Sequence, residues 1–155
     1  KEIPASKIGI YGSSLGALVG LLTPVKSNNF QALAVVDAPF DFETLVREEM
    51  EYQGFPPLLF EPLYHYVLLF ERINLLENSP EGSLEASKKQ PILIFNGLKS
   101  DRVLPHHTDD LIKAANDNSI KTEIHRYDVG HTRVMYEKPD EFSNLLINFF
   151  TNELN

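Results

Sequence analysis

The sequence offers a candidate nucleophile at Ser14, in the run "YGSSLG". Glycines stand two positions before it and two positions after it, at Gly12 and Gly16. This G-x-S-x-G spacing is typical of a sharp, strained turn between a strand and a helix, where neighbours without side chains avoid a collision. We expect the turn to expose the serine hydroxyl and to aim the N–H of Leu15 at the same place as an oxyanion donor. The spacing therefore predicts acyl transfer through Ser14.

A serine hydroxyl attacks a carbonyl only with the help of a base, and that base requires an acid to orient it. His131, in "YDVGHTRVM", is the candidate base, and Asp101, in "FNGLKSDRVLP", is the candidate acid. Together they give the order Ser, Asp, His that is expected for this kind of turn. Two other carboxylates remain open as the acid. Asp37 ends an apolar run and Asp128 is close to His131 in sequence, but the loop of Asp101 carries the fuller motif.

Four strand-like runs predict the elements that position these residues: "KIGIYG" (7–12), "ALAVVD" (32–37), "PILIFNG" (91–97) and "TEIHRYD" (122–128). Helical patterns follow at residues 15–22, stopped by Pro24, at 105–116 and at 139–150. This alternation predicts an α/β fold in which helices cover both faces of a parallel sheet. The carboxyl ends of parallel strands meet at one edge, so Ser14, Asp101 and His131 are expected to meet there.

Residues 38–90, between the second and third strands, are several times longer than the roughly dozen residues that a crossover requires. We interpret them as a helical insertion that begins with a helix opened by Asp41. The insertion holds half of the aromatic residues of the chain, and most of these are expected to pack in the core. Four of them are candidates for lining an apolar substrate pocket beneath a cap: Phe40, Phe55, Phe60 and Tyr64.

Composition excludes several classes of function. The chain has 155 residues, 43% of them hydrophobic, which is enough for one domain with a sizeable core. Its net charge is −8 and its sequence contains no stripe of basic residues, so neither nucleic acid nor an anionic membrane is an expected partner. The absence of cysteine excludes a thiol nucleophile and fits a cytoplasmic location. Ala17 and Leu18 follow the last glycine of the turn, which excludes a phosphate-binding P-loop.

The histidines other than His131 give no metal signal. None of them combines ligand spacing with an evident carboxylate partner, so no metal is expected. His106 and His107, which follow a proline, are interpreted as surface residues in the first turn of a helix.

The runs "GSSLG", "NGLKSDRVLP" and "VGHTRV", in this order, resemble the three signatures of the α/β-hydrolase superfamily. The resemblance covers nearly the whole chain. It is nearest to the branches that contain esterases, dienelactone-hydrolase-like proteins and prolyl-oligopeptidase-like or serine-aminopeptidase-like peptidases. It implies a serine hydrolase that needs no cofactor and cleaves an ester, thioester or amide. The alternative is a non-catalytic binding or scaffolding protein of the same fold.

The resemblance also implies that this chain is the C-terminal portion of the fold. The superfamily's serine turn normally follows the fifth strand, whereas here it follows the first. The loop that normally supplies the second oxyanion amide would then lie in a preceding part. "KIGIYG" would become an edge strand, and we expect a missing N-terminal half or a second copy of the chain to cover it.

Overall fold

Four parallel strands form the sheet, in the order in which they occur along the chain. The computed structural model describes residues 3–72, 74 and 79–154. Within these residues the strands are β1 (Gly9–Ser13), β2 (Ala32–Val36), β3 (Ile92–Gly97) and β4 (Thr122–Tyr127). Each strand is in register with the next, so that Ser13 of β1 lies beside Val36 of β2, and Val36 lies beside Phe95 of β3. The carboxyl ends of the first three strands therefore meet at one edge.

Seven helices accompany the strands in the described part of the chain: α1 (Leu15–Lys26), α2 (Phe42–Tyr52), α3 (Phe60–Tyr66), α4 (Pro80–Ala86), α5 (Pro105–Asp117), α6 (Val134–Glu137) and α7 (Pro139–Glu153). Single 3₁₀ turns lie at Ala5–Lys7 and Pro57–Leu59, and a π-helical turn at Val67–Glu71 continues α3. None of the helices among the described residues is both long enough and apolar enough to cross a bilayer.

Helices cover the sheet on both faces, as the sequence predicts. On one face α1, α4 and α5 bury Leu21, Leu84 and Leu111 against alternate residues of β2 and β3. On the other face α6 and α7 bury Val134 and Phe142 against the remaining residues of these strands. All residues of β2 and β3 are buried, because a strand covered on both faces is apolar throughout. The predicted parallel α/β architecture is confirmed.

Helix α1 continues past the point where the sequence predicts its end. It contains Pro24 and ends at Lys26, so the prediction that Pro24 stops it is wrong. Proline removes one backbone donor, and here the loss falls in the last turn of the helix. There the hydroxyl of Thr23 also donates to the carbonyl of Val19 at 3.0 Å.

The insertion between β2 and β3 contains α2, α3 and α4. Asp41 caps α2 by accepting the N–H of Thr44 at 2.6 Å, as its position in the sequence suggests. Arg47 joins α2 to α3, because its guanidinium pairs with Glu61 at 2.6 Å and lies 4.6 Å from the ring centre of Phe60. Helix α4 packs against α1. Because α2 follows β2 along the chain, the insertion begins at the carboxyl edge of the sheet, where the candidate residues lie.

Strand β1 lies at an edge of the sheet. It pairs with β2, and no other strand in the described residues lies along its second side. An apolar side chain of this strand remains partly exposed, since Tyr11 is 43% exposed.

Candidate active site

Ser14 occupies the turn that joins β1 to α1. Its φ of 53° lies in a region that side-chain-bearing residues rarely adopt, and such strain is concentrated at functional sites. Its N–H donates to the carbonyl of Val36 at 2.8 Å, which fixes the turn to β2. A Cβ at Gly12 would lie 2.4 Å from the carbonyl oxygen of Gly16, so only glycine fits there. A Cβ at Gly16 would meet no described atom within 4 Å. The predicted steric requirement therefore holds for Gly12 and not for the exposed Gly16.

His131 reaches Ser14 from the loop that follows β4. Its Nε2 lies 2.9 Å from Oγ of Ser14, which is a hydrogen-bond distance. The loop packs closely on the end of β3, where a Cβ on Gly97 would lie 2.8 Å from the carbonyl oxygen of Gly130. The structure thus brings the predicted nucleophile and the predicted base into the contact that general-base activation requires.

A buried carboxylate, that of Asp37, faces the other imidazole nitrogen of His131. Oδ2 of Asp37 lies 3.7 Å from Nδ1, and the side chain is 1% exposed. Oδ2 also accepts the N–H of Thr132 at 2.6 Å, and Oδ1 accepts the N–H of Gly97 at 2.7 Å. These hydrogen bonds offset the free-energy cost of burying the charged carboxylate. Asp37, which the sequence leaves open as an alternative acid, is therefore the carboxylate that lies against His131.

Asp101, the acid favoured by the sequence, contacts another residue. Its Oδ2 accepts the hydroxyl of Tyr52 at 3.5 Å, and within the described residues no hydrogen bond or ion pair joins it to His131. The preceding residue, Ser100, takes that position, with its Oγ 3.0 Å from Nδ1 of His131. Asp128, the third alternative, pairs with a surface lysine. Sequence reasoning missed Ser100 because a serine beside an aspartate carries no signal of its own.

The environment of His131 keeps its imidazole neutral. Burial lowers its pKa below the ordinary value of 6.5, although the charge of Asp37 acts in the opposite direction. The nearby Arg102 lowers the pKa further, and the charge of Asp101 raises it. Only the neutral form has a lone pair on Nε2 that can accept the proton of Ser14. The imidazole is therefore in the state that a base requires at pH 7.

A cavity of about 490 Å³ borders both Ser14 and His131. Its other lining residues come from the start of α1, from α2 and from the loop after β3: Leu15, Leu45, Val46, Glu49, Arg102 and Val103. Glu49 and Arg102 pair with each other through two hydrogen bonds of 2.6 and 2.9 Å, so their charges largely compensate. The remaining wall is apolar. The cavity therefore suits an uncharged, apolar group beside a reacting carbonyl.

The four aromatic residues predicted to bind substrate do not border this cavity. Phe60 is buried beneath Arg47 and stacks on Tyr64. Phe40 packs against the core, and Phe55 is 58% exposed. Helix α2 supplies the cavity wall in their place. Aromatic content did not indicate this helix, because the α2 residues that reach the cavity, Leu45, Val46 and Glu49, are not aromatic.

A second cluster of titratable groups lies where α2 meets α5. The two carboxylate oxygens of Glu48 lie 2.6 Å from Nε2 of His106 and 3.1 Å from Nε2 of His107. The spacing of these atoms would admit a metal ion. However, Nδ1 of His107 accepts the N–H of Phe40 at 3.2 Å, so the neutral imidazole carries its proton on Nε2 and has no lone pair there for a metal. The cluster therefore joins two helices by hydrogen bonds, and the expected lack of a metal stays a prediction.

His107 differs from the sequence-based expectation in its burial. Its side chain is 1% exposed, so the interpretation of His107 as a surface residue is wrong. The contact with Glu48 covers it, and that contact depends on the position of α2, which the sequence of α5 does not reveal.

The chain is similar in structure to solved hydrolases. It matches the esterase Pf2001 of Pyrococcus furiosus over 96% of its length, with a TM-score of 0.69 and 19% identity. It matches the acylaminoacyl peptidase of Pyrococcus horikoshii over 97%, with a TM-score of 0.71 and 19% identity. It also matches dipeptidyl peptidase 4 of Porphyromonas gingivalis over 97%, with a TM-score of 0.70 and 18% identity. No family model and no curated protein matches the sequence.

These similarities establish the fold as that of an α/β-hydrolase. The chain spans 54% of the esterase, 24% of the acylaminoacyl peptidase and 20% of the dipeptidyl peptidase. The match corresponds to the C-terminal part of the α/β-hydrolase fold. The predicted fold class is therefore confirmed, including its restriction to this part of the fold.

Proposed function

We propose that this chain carries the catalytic residues of a serine hydrolase that cleaves a carboxylic ester, thioester or amide. The observation that carries the proposal is the 2.9 Å contact between Nε2 of His131 and Oγ of Ser14. It occurs at a serine of strained backbone geometry, at the start of a helix and beside a cavity. The esterase and the peptidases that share the fold support hydrolysis as the class of reaction.

In the first step, Oγ of Ser14 forms a bond to the carbonyl carbon of the substrate and its proton passes to Nε2 of His131. The buried carboxylate of Asp37 stabilises the resulting imidazolium. The negative charge that develops on the carbonyl oxygen is bound by the N–H of Leu15. This residue is the first of α1, so its N–H has no acceptor within the helix, and the helix dipole favours the charge.

In the second step, the bond between the carbonyl carbon and the leaving group breaks, and the leaving group takes the proton from Nε2 of His131. Water then attacks the acyl group on Ser14, with His131 again accepting a proton. The bond between the carbonyl carbon and Oγ then breaks, and Nε2 of His131 returns the proton to Oγ, which releases the free acid and regenerates Ser14. Every step is a proton transfer or an acyl transfer, so the reaction requires no cofactor.

The cavity supports an apolar acyl group or side chain as the preferred substrate portion. Leu45, Val46 and Val103 form its apolar wall. The ion pair between Glu49 and Arg102 satisfies both charges within the protein, which leaves neither free to bind a charged substrate.

We propose that the open side of β1 is covered by an N-terminal part of the same protein. Ser14 follows this edge strand directly, so an element placed along β1 would also reach the oxyanion. A second oxyanion donor from that element would complement the N–H of Leu15. The esterase of similar fold, of which the chain spans 54%, is long enough to contain such a part.

Labelling with a fluorophosphonate probe tests the proposed function, because the probe reacts with an activated serine. In the complete protein we expect one labelled residue, Ser14, and loss of labelling in Ser14→Ala. The neighbouring variant Ser13→Ala is the matched control and should label normally. A protein that neither reacts with the probe nor hydrolyses esters would instead support the alternative, a non-catalytic binding or scaffolding member of this fold.

A further inference from the structure

We infer that Ser100 is a positioning residue whose hydroxyl holds Nδ1 of His131, while the buried carboxylate of Asp37 supplies the negative charge from a greater distance. The inference rests on the proposed function and adds a member to its site. In this arrangement the two tasks of the acid are divided. A neutral hydroxyl orients the imidazole, and a separate carboxylate stabilises its charged form.

The distances from the two side chains to Nδ1 of His131 support this division of tasks. Oγ of Ser100 lies 3.0 Å from Nδ1 of His131, within hydrogen-bond range. Oδ2 of Asp37 lies 3.7 Å from the same nitrogen, which is too long for a hydrogen bond but close enough for a strong electrostatic interaction in a buried site. The direct partner of Nδ1 is therefore the hydroxyl.

The hydroxyl of Ser100 is held in place by its own contacts. The side chain is buried, and its Oγ accepts the N–H of Val103 at 3.3 Å. The backbone N–H of Ser100 donates to the carbonyl of Gly97 at 3.0 Å, which fixes the turn at the end of β3. A side chain that is packed and bonded in this way can hold a catalytic group in one orientation.

The carboxylate of Asp37 is equally fixed, at a position from which it does not reach Nδ1. Oδ1 accepts the N–H of Gly97 and, at 3.3 Å, the side-chain amide of Asn96. Oδ2 accepts the N–H of Thr132 at 2.6 Å. These three donors hold the carboxylate against the loop that carries His131, and Ser100 occupies the remaining contact with the ring.

Two groups on the Nδ1 side of His131 favour a proton on that nitrogen. The buried carboxylate of Asp37, 3.7 Å away, stabilises an N–H there, and Oγ of Ser100 has a second lone pair, beside the one that accepts the N–H of Val103, with which it can accept from Nδ1. Nε2 then keeps its lone pair for the proton of Ser14. Besides Asp37, the charged groups that act on this imidazole are Arg102 and Asp101.

Replacing the hydroxyl tests this role by kinetics in the complete protein. We expect Ser100→Ala to lower kcat for p-nitrophenyl butyrate by about ten- to a hundred-fold through misorientation, with KM little changed. Ser100→Thr, which keeps a hydroxyl, should retain more of the activity than Ser100→Ala. Ser83→Ala is the matched control, because Ser83 is also buried but its hydroxyl has no hydrogen-bond partner among the residues that the structure describes. Equal activity of wild type and Ser100→Ala, both folded, would overturn the inference.

Moving the carboxylate tests the division of tasks. Ser100→Asp places a charge directly at Nδ1, so it should raise the pKa of His131 and move the acid limb of the kcat/KM profile to higher pH. In an Asp37→Asn background, Ser100→Asp should restore part of the lost kcat. A double variant that is no better than Asp37→Asn alone, with both proteins folded, would contradict the proposed placement.

The tautomer of His131 provides a measurement that does not depend on turnover. In ¹⁵N-labelled protein, two-bond ¹H–¹⁵N correlation spectra should show the proton on Nδ1 in wild type and a greater share on Nε2 in Ser100→Ala. An unchanged tautomer would refute the role of Ser100 even if the enzyme is active. If wild type shows no hydrolysis, the proposed function fails, and the spectra still decide the contact between Ser100 and His131.

Discussion

The carboxylate of Asp37 lies 3.7 Å from Nδ1 of His131, although the two residues belong to loops that follow different strands. Asp37 follows β2 and His131 follows β4, and the two loops meet at the carboxyl edge above β3. The N–H of Thr132, next to His131, also donates to this carboxylate. The buried side chain of Asp37 therefore both supplies a negative charge beside the imidazole and anchors the histidine loop.

Exchanging each candidate acid for its amide decides between Asp37 and Asp101. We expect Asp37→Asn to lower kcat by up to about 10⁴-fold, because the imidazolium loses its buried counter-charge. Asp101→Asn should cost little, since its carboxylate contacts Tyr52. Steady-state kinetics measure both, and thermal melting checks that each variant folds. A large loss in Asp101→Asn with activity kept in Asp37→Asn would return the role to the acid favoured by the sequence.

Ser14 and His131 are expected to act as one unit. Ser14→Ala and His131→Ala should each lower kcat by about 10⁵- to 10⁶-fold, and the double variant should be scarcely worse than either single variant. The reason is that the proton transfer across the 2.9 Å contact needs both groups. Losses that add in the double variant would show that the two side chains work independently and would contradict the assignment.

The pH dependence of kcat/KM should follow the pKa of His131. Burial lowers that pKa below 6.5, and the protonated imidazole cannot accept the proton of Ser14. Activity should therefore fall as the pH drops through a value below 6.5 and should be level near neutral pH. The profile of the free enzyme, measured at low substrate concentration, reports this value. An acid limb centred well above 6.5 would contradict the expected direction of the shift.

The cavity wall is expected to set the preference for acyl length. Leu45→Ala should enlarge the cavity by removing part of its apolar wall. The ratio of kcat/KM for a long p-nitrophenyl ester to kcat/KM for a short one should then rise by roughly ten-fold. Phe55→Ala is the matched control, because Phe55 is 58% exposed and does not border the cavity. A shift caused by Phe55→Ala and not by Leu45→Ala would restore the predicted role of the aromatic residues as the substrate wall.

Residues 1–155, purified alone, should associate through the open side of β1 and hydrolyse esters poorly. Loss of an oxyanion donor costs about a hundred- to a thousand-fold in rate, and unpaired edge strands favour self-association. Light scattering and an ester assay measure both properties. Tyr11→Glu on β1 should weaken the association, whereas Ile124→Glu on β4, at the opposite edge of the sheet and similarly exposed, should not. An active, stable monomer would contradict both the missing donor and the need for a cover.

The sequence by itself determined the sheet, the turn at Ser14 and the pairing of that serine with His131 as candidates. These features depend on local patterns. An apolar run followed by G-x-S-x-G predicts a strand, a turn and a helix without knowledge of the rest of the chain. Parallel topology then places the ends of consecutive strands at one edge, so the histidine after β4 was expected near the serine after β1.

The tertiary structure decided which groups touch the imidazole and which line the cavity. Asp37 and Asp101 each follow a strand of the sheet, so order along the chain allows either to be the acid. The choice depends on the course of one turn, which places Ser100 against Nδ1 and Asp101 against Tyr52. The cavity wall likewise depends on how α2 packs over the site. Contacts between residues distant in sequence depend on loop paths and helix packing to within about an ångström, and residue type and spacing do not encode those distances locally.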